Sequence, residues 1–369
     1  MAGTFIELNS RNLEHNLRQF KNIAPQSELW PVVKSNAYGH GLKEIVGLLN
    51  NNPLVSGLLV VNLEEALFVS TLSQKSLMVL SYFDFDDEQL KSAIEKKIIL
   101  PIYNFESFEY LQQLAKKLNK QIAVSVKIDS GTNRLGFKKE DEPLVSEIMS
   151  SKYFQVHSIY THFAESEASN LDFTQQQLKQ LLEYKKKYST IKLHVACSAA
   201  AIGLPETRLD ILRLGLALYG LWPSHSSQTR GQEQKMDLRP ILSLKTKIIQ
   251  IKNIVAGESI GYNRTFVADS DLKIAVLPIG YYEGLPRLLS NNGQVLIRGQ
   301  RCQIRGNICM NLSMVELAKG LDAKVGDEVV IIGQSGSEHI GAEELAIRAQ
   351  SINYEILARL NPNLKRIIV

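Results

Sequence analysis

A chain of 369 residues with 44% hydrophobic and 22% charged side chains has an ordinary globular composition, and it is long enough for two domains. Its formal net charge of +4, from 42 basic and 38 acidic side chains, is spread along the chain and offers no basic block for nucleic acid or a membrane surface. MAGTFIELNS lacks the basic-then-apolar order of a secretory signal, no apolar run could span a bilayer, and Cys197, Cys302 and Cys309 lack CxxC spacing. The expectation is a cytoplasmic protein without disulfides or a metal.

In chain order, apolar β-type runs alternate with helical patterns over the first two thirds. The strand candidates are 29–33, 57–61, 77–81, 98–103, 122–127, 156–161, 192–196 and 210–213. Segments with helical spacing lie between them, such as 42–49, 63–72, 88–95, 108–118 and 173–188. This alternation predicts an α/β protein with an N-terminal (β/α)8 TIM-type barrel. No GxGxxG or GxxxxGK[ST] follows a strand, which argues against a dinucleotide fold or a P-loop. The polar stretch 223–234 (PSHSSQTRGQEQ) reads as a linker or exposed loop. Short β-type runs follow at 242–251, 274–277, 293–297, 303–304 and 328–332, then a helical pattern at 341–349 and a final strand. The predicted division is therefore a barrel over 1–233 and a mainly-β domain over 234–369.

Active-site groups of such barrels sit where strands end on the C-terminal face. Unusual polar residues fall at those ends: Lys34 in PVVKSNAYGHG, Lys127, Asp129 and Arg134 in VKIDSGTNRLGF, His162 in YTHFA, His194 and Ser198 in HVACSAA, and Arg213 in RLGLALYG. Singly, each has a plain structural reading; together they share one rim. Desolvation at the end of an apolar strand lowers a lysine's pKa and makes it a Schiff-base nucleophile, which points to Lys34. Tyr38 sits in the Gly-rich turn beyond it and is placed to donate its hydroxyl to a phosphate. The Arg213–Gly215 turn presents open backbone N–H groups to an anion.

These segments resemble the alanine racemases, pyridoxal-phosphate enzymes built of a barrel and a β-domain, from about Phe5 to the C-terminus. VVKSNAYGHG is similar to the family's cofactor-lysine signature, with Ser35 in place of the more usual alanine. The resemblance implies Lys34 as the cofactor anchor and first catalytic base. It implies Tyr38, Ser198, Gly215, Leu216 and Tyr354 around the cofactor phosphate, Arg134 at its phenolic oxygen and also at the substrate, His162 near its ring, and Arg213 facing its pyridine nitrogen. Lys127 matches a position that is often carbamylated. In the second domain Tyr262 (GYNRTF) matches the second catalytic base, and Met310 (GNICMN) the residue whose N–H receives the substrate carboxylate. Tyr281 and Arg287 (GYYEGLPR) match the substrate entrance. A head-to-tail homodimer with shared sites follows from the resemblance, as do alanine as substrate and a role in supplying D-alanine for cell-wall peptidoglycan.

Some positions depart from the family's pattern. Cys197 stands for a common asparagine, Tyr282 and Glu283 for the alanine and aspartate of GYADG, and Asn307 and Asn311 for the arginine and aspartate of GRICMD. None is a proposed base or cofactor anchor, so they bear on substrate preference and rate. Other readings are a racemase of the same fold acting on a larger side chain such as that of serine, and a non-catalytic pyridoxal-phosphate-binding protein. A decarboxylase of related fold would need an acidic C-terminal cysteine motif, which is absent here.

Overall fold

A computed structural model describes residues 3–369, which divide into two compact units. The first comprises the N-terminal segment through Ser10, Tyr38–Glu44 and Pro240–Val369, and the second comprises Arg11–Ala37 and Ile45–Arg239. A single cut between residues 233 and 234 does not describe this division, because strand β1 (Phe5–Leu8) is a β-unit element. Its residues pair antiparallel with Leu242–Lys245 and parallel with Lys365–Ile368. Ile6 and Leu8 point inward and are fully buried, the alternation of a strand with one face in a core.

The second unit is an eight-stranded parallel barrel. Its strands are β2 (Glu28–Pro31), β3 (Gly57–Asn62), β4 (Ser76–Tyr82), β5 (Leu100–Ile102), β6 (Ile122–Lys127), β7 (Phe154–Tyr160), β8 (Lys192–His194) and β9 (Ile211–Leu214). β3 pairs with β4, and β5 through β8 form one ladder. Parallel bridges Val32↔Leu59 and Met78↔Ile99 join β2 to β3 and β4 to β5, the Arg213 N–H bonds Ala196 O just beyond β8, and β9 pairs with β2 to close the ring. β5 and β9 are buried along their whole length, as strands sandwiched between helices and barrel interior must be. The stretch predicted as a linker is instead a helix, His225–Glu233, within the barrel unit. Ser224 caps it by accepting the Ser227 N–H, and Gly231 leaves room for the Trp222 ring. Too few of its residues are apolar for a helical period to show.

The first unit is built on a ten-stranded sheet. After β1 it runs through β10 (Leu242–Lys247), β11 (Gln250–Ile254), β12 (Ser259–Ile260), β13 (Phe266–Val267), β14 (Leu272–Leu277), β15 (Gln294–Ile297), β16 (Gln300–Ile304), β17 (Ser313–Glu316), β18 (Glu328–Ser335), β19 (Glu338–Ile340) and β20 (Lys365–Ile368). β12 and β13 form a separate two-residue ladder. A second helix, Asn353–Ala358, follows Ala342–Arg348 where only one helical pattern was read. No helix among the described residues is long and apolar enough to cross a membrane.

Candidate active site

Lys34 lies just beyond β2 and opens a turn in which Ser35, Asn36, Ala37 and Tyr38 all have φ between 52° and 55°. This is a turn of left-handed helix, costing non-glycine residues roughly 1–2 kcal/mol each. The surroundings offset that cost: Ala37 is fully buried, its N–H bonds Val33 O at 2.9 Å, and Ser35 N–H bonds Glu65 Oε1 at 2.7 Å. Glu65 also receives the Val61 N–H at 3.0 Å. Farther along the chain Gly39 has φ +82°, and a Cβ there would stand 1.8 Å from Leu357 O. Strain held this firmly marks a place where geometry matters. Burial, followed by the charge of Arg134, holds the Lys34 ammonium below its usual pKa.

At the mouth of the same barrel lie Lys127, Arg134 and Arg213. Lys127 is buried, donates to Leu80 O at 3.2 Å and sits 5.5 Å from the Tyr160 ring centre. Burial first, then Arg134 and Arg213, lower its pKa to about 7. Arg134 follows a loop shaped by Asp129, which accepts N–H bonds from Gly131, Asn133 and Arg134. Burial raises the Asp129 pKa, but those bonds prevail and hold it low. With Thr132, His162, Phe163 and Ala164, Arg134 lines a cleft of about 270 Å³. Glu65, which acts on Lys34, and Asp129, which acts on Lys127, both also accept backbone amides.

Arg213 is 4% exposed. Its guanidinium donates to Thr161 O at 2.9 Å, Val195 O at 2.8 Å, His162 Nδ1 at 3.1 Å and His194 Nδ1 at 3.0 Å. A guanidinium only donates, so both imidazoles accept through Nδ1 and carry their proton on Nε2. Burial, then Arg213, hold both histidines well below their usual pKa and hence neutral. His194 stacks on the Tyr160 ring at 4.8 Å and bonds Ser158 Oγ at 2.9 Å. Tyr160 and Glu65 were not singled out from sequence. The signal for Tyr160 is strand alternation, which places Ser158 and Tyr160 on one face of β7, two and four residues before His162.

Ser198 accepts the Gly215 N–H at 3.0 Å, which leaves its hydroxyl proton for another acceptor. Ser198 and Leu216 each open a short helical turn, where amides lack intrahelical acceptors. In the first unit the Tyr38 and Tyr354 ring centres are 6.3 Å apart. Also there, Tyr262 is 71% and Met310 56% exposed, and Tyr281 and Arg287 are exposed as well. Among the described residues the Met310 N–H has no acceptor, while Met310 O receives the Tyr282 N–H at 2.9 Å. Glu283 and Asn311, both departures from the family's pattern, bond each other at 2.8 Å, and Glu283 also receives the Gly280 N–H.

A barrel mouth with a half-buried lysine of lowered pKa, a buried lysine and arginine, and a serine opening a short helical turn has the chemistry to hold an anionic carbonyl compound through an amine. Family models give the particular family. "Alanine racemase, N-terminal domain" matches residues 8–223, and "Alanine racemase, C-terminal domain" matches residues 241–368. An alanine racemase of Carboxydothermus hydrogenoformans is 33% identical over the full length of both chains. One of Leptospira interrogans is 34% identical, with 100% of this chain and 96% of that one covered. The solved alanine racemase of Clostridium difficile superposes with a TM-score of 0.91 at 32% identity, covering 100% of this chain and 96% of that one. This chain belongs to the alanine racemase family.

Proposed function

We propose that the protein interconverts L-alanine and D-alanine with pyridoxal phosphate, and that it supplies D-alanine for peptidoglycan. The observation that carries this reading is the barrel mouth itself, which sets Lys34, its pKa lowered by burial, within electrostatic reach of Arg134 and Lys127. The donor set fits the cofactor. Lys34 would hold it covalently, and Ser198, Gly215, Leu216, Tyr38 and Tyr354 would take its phosphate. Arg134 would meet its phenolic oxygen and His162 would lie beside its ring. Bound pyridoxal phosphate supplies an electron sink for the α-carbanion.

The remaining chemistry belongs to the chain. Inverting an α-carbon requires removing a proton from one face and delivering one to the other, which needs two proton-transfer groups. Lys34, whose pKa burial lowers, serves one face, and Tyr262 serves the other. Arg213 cannot give up its proton at any working pH, so it would offer the bound cofactor's ring nitrogen a fixed positive charge and no transferable proton. Arg134 and the Met310 N–H orient the substrate carboxylate. The β-unit exposes Tyr262, Tyr282, Leu288 and Met310, more large apolar surface than a lone unit favours. This supports a homodimer in which Tyr262 and Met310 complete the partner's site. Tyr281 and Arg287 would flank the entrance. The barrel unit would thus bind the cofactor and the β-unit would contribute the second base.

Purified protein loaded with pyridoxal phosphate and offered a panel of L-amino acids should form the D-enantiomer fastest from alanine, without CO2. Fastest turnover of serine would shift the substrate to the larger side chain. CO2 release, or an adduct without turnover, would contradict a racemase.

Lys127 gives a pH-dependent prediction. Its neutral amine attacks the carbon of CO2, a C–O π pair moves onto oxygen, and the amine loses one proton to solvent. The product is a carbamate anion beside Arg134. With a pKa of about 7 the amine is mostly free at pH 8 and mostly charged at pH 6. In 13C-bicarbonate, a carbamate resonance absent from Lys127→Met should therefore grow between those values. No such resonance at pH 8 would exclude the adduct. The unfolded chain keeps this proton to about 10.5, so above pH 7 it binds more protons than the folded one. Lys127 therefore makes stability rise with pH through that window.

A further inference from the structure

The hairpin that carries Tyr262 is weakly built. Its ladder is two residues long, Ser259↔Val267 and Ile260↔Phe266, and the residues between, Gly261 to Thr265, are exposed. Gly261, Asn263 and Arg264 have φ of 76°, 62° and 51°, so the tip is conformationally costly. The small apolar cluster of Ile254, Ile260, Ala268 and Ile274 lies under the ladder and does not include the tip. A tip of this kind stays in one position only if something other than packing holds it.

Two asparagines do so. Asn307 donates from Nδ2 to Tyr262 O at 3.0 Å. Asn291 donates from Nδ2 to Thr265 O at 3.3 Å and Thr265 Oγ1 at 3.2 Å, and its Oδ1 accepts the Gly306 N–H at 2.6 Å. Beside it Ser290 Oγ accepts the Ile308 N–H at 3.0 Å. Gly306, at φ +73°, is pressed so close to the hairpin that a Cβ would come 2.4 Å from Ile260 O. The segment from Gly306 to Met310 and the Tyr262 tip are therefore tied at three points. Both ties from the asparagines are neutral, so they persist over any pH at which the protein is folded.

We infer that Asn291 and Asn307 are positioning residues that lock the Tyr262 tip to the Gly306–Met310 segment, so that the proton-transfer hydroxyl and the carboxylate-receiving N–H move as one body. The inference rests on the roles given above to Tyr262 and Met310. It assigns different parts to the two asparagines. Asn307 holds only the tyrosine side of the clamp, whereas Asn291 spans both sides.

Holoenzyme variants separate these parts. Asn307→Ala should lower kcat about tenfold, the scale of one lost hydrogen bond, with KM for alanine nearly unchanged. Asn291→Ala should lower kcat about as much and raise KM severalfold. Asn291→Asp keeps the acceptor for Gly306 and loses the donor to Thr265, so it should lower kcat alone; it also serves if the alanine variant folds poorly. Hydrogen exchange in Asn291→Ala should speed up over 261–265 and 306–310 together. In a Tyr262→Phe background, Asn307→Ala should cause no further loss, which a merely structural role would not produce. Activity within twofold of wild type in both alanine variants, or equal losses with and without Tyr262, would overturn the inference. Full racemisation by Tyr262→Phe alone would overturn the tyrosine's role and with it the catalytic half of the inference. The exchange experiment would still report whether the two segments are tied.

Discussion

Tyr262→Phe should lower racemisation by about 10²–10⁴-fold while one enantiomer, and only one, keeps exchanging its α-hydrogen with solvent. Enantiomers have equal free energies in an achiral solvent, so the loss in kcat/KM must be the same in both directions. Exchange carries no such constraint. Lys34 still removes and returns a proton on its own face, so in D2O the enantiomer presenting its α-hydrogen to Lys34 should lose the Cα–H NMR signal without inverting. The other should remain unlabelled. Equal exchange of both enantiomers would mean that another group serves the second face. The exposure of Tyr262, 71% in its own chain, adds a mixing test. Lys34→Ala and Tyr262→Phe chains should each have little activity alone. Combined by unfolding and refolding in equal amounts, they should recover about a quarter of wild-type activity, since half the dimers then carry one intact site. No recovery would place both groups on one chain.

Arg213→Lys should destabilise the protein by about 3–5 kcal/mol and lower activity at least about 100-fold, although charge is conserved. Arg213 satisfies Thr161 O, Val195 O, His162 and His194 at once, from a flat guanidinium that is 4% exposed. An ammonium has three donors in a tetrahedral arrangement on a shorter reach, so it must leave buried acceptors unpaired. Each costs about 1–3 kcal/mol. His194 would then lose the bond that fixes its tautomer against Ser158 and its stack on Tyr160. Chemical denaturation reads the first effect and turnover the second. A variant within 1 kcal/mol of wild type would mean that the guanidinium's geometry is not what the barrel interior requires.

Much of this was legible in the sequence because it is local. Barrel strands buried on both faces show as short apolar runs, and the chemically unusual residues fall at their ends. The mouth of the barrel brings together Lys34, Lys127, Arg134, His162 and Arg213 as those ends implied. Other features depend on distant partners. Phe5–Leu8 is a strand only because Leu242–Lys245 and Lys365–Ile368 flank it. The left-handed turn after Lys34 uses serine, asparagine, alanine and tyrosine, of which only the asparagine favours positive φ, and it is held through Glu65. The Tyr262 hairpin has ladders too short to show a period. Asn307, read from sequence only as a lost charge at the entrance, has its amide committed to the Tyr262 carbonyl.

The central claim, that Lys34 anchors the cofactor, is tested most directly by reducing the loaded protein with borohydride and mapping the labelled peptide. The account predicts a single adduct on Lys34, in the peptide containing VVKSNAYGHG, and none in Lys34→Ala. An adduct on Lys127 or any other lysine, or a covalent adduct that survives in Lys34→Ala, would contradict it.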